Sequence, residues 1–207
     1  MSLILSSTYE IEDTEDNEDN EEKIDQAIDV VLGGIIWKVM FFTEGLNRKL
    51  LNSLYKTLTT YISWHSKVLM IRFDVSLYDS SPHNKTISKL RNYMLKQLNK
   101  HYNSKADFGW VREQNQFKDM CHYHCFILLD GQKVRSSHTS FNLTKKAQEL
   151  IIDINIHFPK YCTYMLLPKS IKTIQAALYR LSYLSKKSTK KNNPALAKSY
   201  YFNRTKL

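Results

Sequence analysis

The order of apolar patterns along the chain predicts an α+β fold: a central antiparallel sheet of about four to five strands flanked by helices. Three observations carry this. Two long stretches, 67–78 and 121–131, alternate like buried strands. A shorter strand at 108–114 is joined to the second of them by a polar turn, so the two should form a hairpin. Amphipathic helical stretches fall between and after the strands.

The chain has 207 residues, 43% of them hydrophobic, enough for one compact core. Residues 10–29 hold eleven acids and one base, Lys23. Removing those from the chain's 30 bases and 20 acids leaves 29 bases and 9 acids, a net charge of +20. This divides the sequence into an acidic tail with a disorder signature over 1–29, one domain over 30–190 and a basic tail over 191–207. The acidic tail is either a cover for a basic site or a solvated segment without a task. A basic excess of this size favours a polyanionic partner over a merely soluble lysine-rich surface, because each phosphate contact releases counterions.

The three cysteines, Cys121, Cys125 and Cys162, have no framework spacing, so reduced thiols and a cytoplasmic protein are expected. The start of the chain lacks the basic, then apolar pattern of a secretory signal. Its longest apolar run, Val30 to Phe42, is broken by Lys38 and is shorter than the ~20 residues of a membrane span.

Taken in order, residues 35–64 read as a packing helix bent at Gly45, with Trp37, Phe41, Leu46, Leu50, Leu54, Leu58 and Ile62 at helical spacing. Residues 67–78 follow as a strand. Leu69, Ile71, Phe73, Val75 and Leu77 share one face; Arg72, Asp74 and Ser76 share the other with Val68 and Met70. Opposite charges inside a core-type strand either pair with each other or line a site. A loop at 80–84 leads to a helix over 85–102. After strand 108–114 and the polar turn 115–120 comes the stretch Cys121-His122-Tyr123-His124-Cys125-Phe126-Ile127-Leu128-Leu129-Asp130-Gly131, ending in an Asp-Gly turn. A polar loop to Ser140, a helix over 144–158 and a strand over 161–167 are expected next. A final helix runs from Ser170 to about Lys187, its stripe formed by Ile171, Ile174, Leu178, Leu181 and Ser185.

Strand alternation puts His122 and His124 on one face and Tyr123 on the other. A hairpin closing at 115–120 brings Glu113 opposite the histidines. Two imidazoles and one carboxylate with open positions suit Mg²⁺ or Mn²⁺ acting as a Lewis acid on a phosphate. A zinc knot of Cys121, His122, His124 and Cys125 is disfavoured, because alternation sends the cysteines to the opposite face. On the last helix, Tyr179, Tyr183 and Lys186 or Lys187 share a face at i, i+4 and i+7 or i+8, opposite the apolar stripe. A tyrosine hydroxyl can attack a phosphodiester when a cation offsets its charge.

The pattern of an acid on one strand, His-hydrophobic-His on the next and a later Tyr-x-x-Lys helix resembles the HUH endonucleases that initiate rolling-circle replication. More narrowly, Trp110-Val111-Arg112-Glu113-Gln114, His122-Tyr123-His124 and Tyr179-Arg180-Leu181-Ser182-Tyr183-Leu184-Ser185-Lys186-Lys187 resemble the YagK/YfjJ family, initiator-like proteins of inoviruses and prophages. The resemblance covers roughly residues 35–190. It implies metal ligation by His122, His124 and Glu113, and nucleophilic attack by Tyr183 on single-stranded or hairpin origin DNA. It implies a 5′-phosphotyrosine intermediate, with Lys186 as the motif lysine and Tyr179 where some phage initiators carry a second nucleophile. The freed 3′ hydroxyl would prime a host polymerase, and with no helicase domain in the sequence a host helicase would unwind the duplex. The family fold, an antiparallel sheet with helices on its faces, agrees with the element order above. The reading from a different class is a DNA-binding regulator or origin-recognition protein of a phage or prophage that has lost turnover.

Overall fold

The computed structural model describes residues 26–78, 83–114, 120–134, 136–187 and 198–202. Two long strands, β3 (Val68–Leu77) and β5 (Cys121–Asp130), pair antiparallel over their full length at the centre of a six-stranded sheet. β4 (Asp107–Gln114) lies on the other side of β5, and β8 (Tyr200–Tyr201) extends the sheet from β4. At the far edge β3 pairs with two short strands, β7 (Thr163–Leu166) beside its first half and β6 (Ile154–His157) beside its second. Every pairing is antiparallel. The α+β expectation therefore holds, with six strands in the main sheet and a separate two-stranded hairpin.

That hairpin is where the sequence reading fails first. Residues 35–64 are not one bent helix. β1 (Ala27–Leu32) and β2 (Ile35–Met40) pair across the two-residue turn Gly33-Gly34. Both glycines have positive φ, 59° and 79°, the conformation that a two-residue hairpin of this twist requires. The helix α1 (Arg48–Ser63) starts only after Asn47, whose side chain accepts a hydrogen bond from the Leu50 amide at 3.1 Å. β1 also begins three residues inside the stretch read as acidic tail.

Helices cover both faces of the sheet. α2 (Lys85–Tyr102) and α3 (His138–Leu150) bury Ile87, Leu90, Met94, Leu98 and Ala147 against Leu69, Ile71, Phe73, Val75, Tyr123, Cys125 and Ile127. On the opposite face, α1 and α4 (Ile171–Ser182) pack Leu54, Leu58, Leu178 and Leu181 against Val68, Met70, Val111, Phe126 and Leu128. Alternation thus assigns each strand's side chains to one core or the other, as the pattern of β3 and β5 required. Gly109 allows a close approach on the α1/α4 face: a Cβ there would lie 2.3 Å from the Phe126 ring.

Three further boundaries differ from the sequence reading. α3 spans 138–150 rather than 144–158, because Ile154–His157 leaves the helical pattern to pair with β3. The final helix stops at Ser182 and continues only as a 3₁₀ turn over Tyr183–Ser185. Beyond it, the Asn47 amide donates to the Ser185 carbonyl at 2.7 Å, and Leu46 bridges Lys186. The basic tail contributes β8 to the sheet edge. Among the described residues no helix is long and apolar enough to cross a membrane.

Candidate functional site

The site follows from strand register. On β5, His122 and His124 share the α1/α4 face of the sheet with Phe126 and Leu128. Cys121, Tyr123 and Cys125 belong to the opposite core, so the cysteines stand away from the imidazoles. On β3, Ser76 is the register partner of His122 and Asp74 that of His124. On β4, Glu113 is the partner of His122 and Val111 that of His124.

Each histidine is anchored through Nδ1 by β3. Ser76 Oγ lies 3.1 Å from His122 Nδ1. Asp74 Oδ1 lies 2.5 Å from His124 Nδ1, and Arg72 Nη1 donates to the same carboxylate oxygen at 2.6 Å. Arg72 Nη2 stands 2.8 Å from His124 Nδ1. The opposite charges that looked unusual in the β3 sequence therefore pair with each other and also hold a histidine. This arrangement, a ring nitrogen fixed by a carboxylate or hydroxyl, is the one that orients imidazoles as metal ligands through the other nitrogen.

That other nitrogen, His124 Nε2, is buried and 3.0 Å from Glu113 Oε2, but out of line for a hydrogen bond. Glu113, the register partner of His122, thus also reaches His124. Burial opposes charge on both His124 and Asp74, but the ion pairs win. Burial would lower the pKa of His124, yet the Glu113 charge and the hydrogen bond to Asp74 leave it raised. Burial would raise that of Asp74, yet His124 and Arg72 pull it down to about 2.

The donor set suits a hard divalent ion. Two ligand atoms at right angles around an ion with ~2.1 Å bonds stand ~3 Å apart, the separation of His124 Nε2 from Glu113 Oε2. A buried nitrogen without an aligned partner is what such an ion would satisfy. The cage is not closed: among the described residues no three His, Cys, Asp or Glu side chains stand close enough to enclose an ion. His122 is on the correct face, with Nδ1 tied to Ser76.

Tyr183 reaches this group from the end of α4. Its ring meets that of His124 edge-on, with centroids 5.2 Å apart. Burial lifts the phenol above its ordinary pKa; the Glu113 and Asp74 carboxylates push the same way, while Arg72 and Arg180 oppose them. Phe42 lies against the Tyr183 ring at 5.9 Å, and the Lys186 ammonium lies 5.6 Å over the Phe42 ring. Because the helix ends at Ser182, Lys186 reaches the site from an extended segment and not from a helical face shared with Tyr183. Tyr179, one turn earlier, packs at the edge of the α1/α4 core and makes no ring contact with His124. The structure thus brings His122, His124, Glu113 and Tyr183 to one face and leaves Tyr179 outside their contacts.

Two participants were not singled out from sequence. Phe42 fell within the supposed helix. Arg180 lies within the tyrosine motif, and its position one turn before Tyr183 is the sequence signal that points to it.

The family model of the YagK/YfjJ C-terminal domain matches residues 36–198, which include every residue of this group. No curated protein and no solved structure matches the chain.

Proposed function

The chain belongs to the YagK/YfjJ C-terminal domain family, and from this premise we propose that it is a rolling-circle initiator-like enzyme that nicks and rejoins single-stranded DNA through a 5′-phosphotyrosine. The observation that carries the reading is the edge-on approach of Tyr183 to His124, a histidine whose Nε2 faces the Glu113 carboxylate. A phenol on the turn after α4, two imidazoles on β5 and a carboxylate on β4, all on one face of the sheet, are the groups that metal-assisted transesterification needs.

In this reading His122, His124 and Glu113 would hold Mg²⁺ or Mn²⁺. The ion would supply Lewis-acid polarisation of the scissile phosphate. Tyr183 Oη forms a bond to phosphorus as the bond to the 3′ oxygen breaks; the phenol loses its proton and the 3′ oxygen gains one. Rejoining reverses both transfers. Burial and the Glu113 charge raise the pKa of the phenol; Arg72 and Arg180 offset part of that rise. Asp74 and Ser76 fix the two imidazoles for ligation. The partners are origin DNA, single-stranded or in a hairpin, and a host helicase and polymerase that extend the freed 3′ end.

A second reading has its own support. The Tyr183 phenol is pushed up and not down, and the three donors do not enclose an ion. Both features suit a DNA-binding regulator of a phage or prophage without turnover. One experiment separates the two: incubation with single-stranded DNA and Mn²⁺, followed by a denaturing gel. A covalent protein–DNA band that EDTA removes supports the enzyme. Binding without such a band leaves the regulator.

A further inference from the structure

An open groove of about 660 Å³ lies at the start of α2, lined by His83, Lys85 and Lys89 from one segment and by Lys198 from the strand end before β8. Asn84 and Ser88 are among its other lining residues, and none of the side chains described there is a carboxylate. Asn84 fixes its place in the fold. Its Oδ1 accepts from Tyr123 Oη at 2.8 Å, and its Nδ2 donates to the Lys198 carbonyl at 3.0 Å. Tyr123 belongs to the α2/α3 core, so the groove opens on the side of the sheet away from His122 and His124.

The lysines are placed where they cost stability. Lys85 opens α2 and Lys89 follows one turn later, at the positive end of the helix dipole, with no acid in the first turn. Asn84, the residue at the N-cap, makes no side-chain capping bond there, because its carboxamide is spent on Tyr123, Arg112 and Lys198. Lysines from two separate chain segments therefore line one open groove, with the Lys198 ammonium held over the Tyr201 ring at 4.6 Å. An anion with several charges at fixed spacing would offset all of these costs together.

We propose that this groove binds the phosphodiester backbone of DNA, as a second contact on the face of the sheet opposite the tyrosine site. The inference deepens the DNA-acting reading above and rests on it. The groove holds flanking DNA while Tyr183 engages the strand to be cut. Asn84 fixes the groove to β5, because it bonds Tyr123, the residue between His122 and His124 whose side chain points to the groove's side of the sheet.

The test is DNA binding by the full chain in EDTA, so that no cleavage occurs. Fluorescence anisotropy is recorded with a labelled single strand and a labelled hairpin across a salt series. The variant is Lys85→Gln/Lys89→Gln/Lys198→Gln, with Lys85→Gln/Lys89→Gln alone in case the Lys198 change loosens β8. At ~0.7–0.9 per phosphate contact, the triple variant should lower the slope of log affinity against log salt by about 2–3 and weaken binding at least about tenfold. The matching arginine variant should bind as the wild type does. Covalent adduct formation on an oligonucleotide too short to reach the groove should be unchanged. Equal affinity and slope in the wild type and the glutamine variants would overturn the proposal. Absence of DNA binding by the wild type would sink this proposal and the DNA reading together. DNA binding with the expected slope change but without any adduct would sink only the nicking enzyme.

Discussion

The Tyr183 ring stands edge-on to His124, with centroids 5.2 Å apart and planes 81° apart. Tyr183 belongs to the 3₁₀ turn that ends α4, and His124 to the central strand β5. The contact therefore joins the last helix of the domain to the middle of its sheet, on the face that also carries His122 and Glu113. It fixes which of the two motif tyrosines adjoins the histidines.

Tyr183→Phe should abolish the covalent DNA adduct, and Tyr179→Phe should retain it. Both changes delete one hydroxyl and leave the ring to pack, so the fold should survive. Peptide mapping of the adduct checks the assignment. DNA attached to Tyr179, or an adduct that persists in Tyr183→Phe, would refute it.

Metal affinity should divide into two tiers. His124→Ala and Glu113→Gln remove direct donors and should eliminate Mn²⁺ binding in titration calorimetry. Asp74→Asn and Ser76→Ala remove only the groups behind the imidazoles, and such losses typically cost ~10–100-fold in affinity. Wild-type Mn²⁺ affinity in His124→Ala would exclude the proposed ligand set.

Stability should depend on pH through the Asp74–His124 pair. The Asp74 pKa is lowered to about 2, so its contribution is full above the unfolded carboxyl value near 3.8 and is lost as pH falls toward 2. The His124 pKa is raised above 6.5, so its contribution is full below that value and is lost as pH rises through the higher folded one. The two shifts share the Asp74–His124 contact, which is counted once; Glu113 adds to the rise of His124 and Arg72 to the fall of Asp74. In EDTA, Asp74→Asn should therefore cost most between about pH 4 and 6.5, on the order of 2 kcal/mol, and less on either side. Urea unfolding across pH measures this; a difference that stays flat from acid to alkali would contradict it.

Gly109→Ala should destabilise the domain without touching the site. The added Cβ would lie 2.3 Å from the Phe126 ring and 2.9 Å from that of Phe202, so one aromatic must move. Overpacking of this kind costs ~1–3 kcal/mol. A melting temperature equal to that of the wild type would show that the rings give way freely.

The sheet was legible because its long strands carry their assignment in every second residue. β3 and β5 could be sided from sequence, and with them the face shared by His122 and His124. Placing Glu113 required only that the hairpin close, since it is the register partner of His122. The hairpin β1–β2 was not legible as read, because Trp37, Phe41 and Leu46 fall at helical spacing by coincidence; the Gly33-Gly34 pair was the stronger local signal. β6 was absorbed into a helix because four residues are too few to show a period. The end of α4 was overrun for a tertiary reason. Ser185 and Lys186 are drawn into contacts with Asn47 and Leu46, more than 130 residues away in sequence, which no local pattern encodes.

Those distant contacts have a consequence for how the protein comes into being. Ser182 Oγ accepts from the Met40 amide, and Gln175 both donates to and accepts from the backbone of Lys38, so the last helix is held by the first hairpin. A chain emerging from the ribosome has made its histidine strand well before α4 and Tyr183 can reach that hairpin, and closing so long a loop is slow. Tyr183 therefore docks beside His124 only after the sheet strands β3 to β7 have been made, so the pairing of phenol and imidazole is a late event in the folding of the chain.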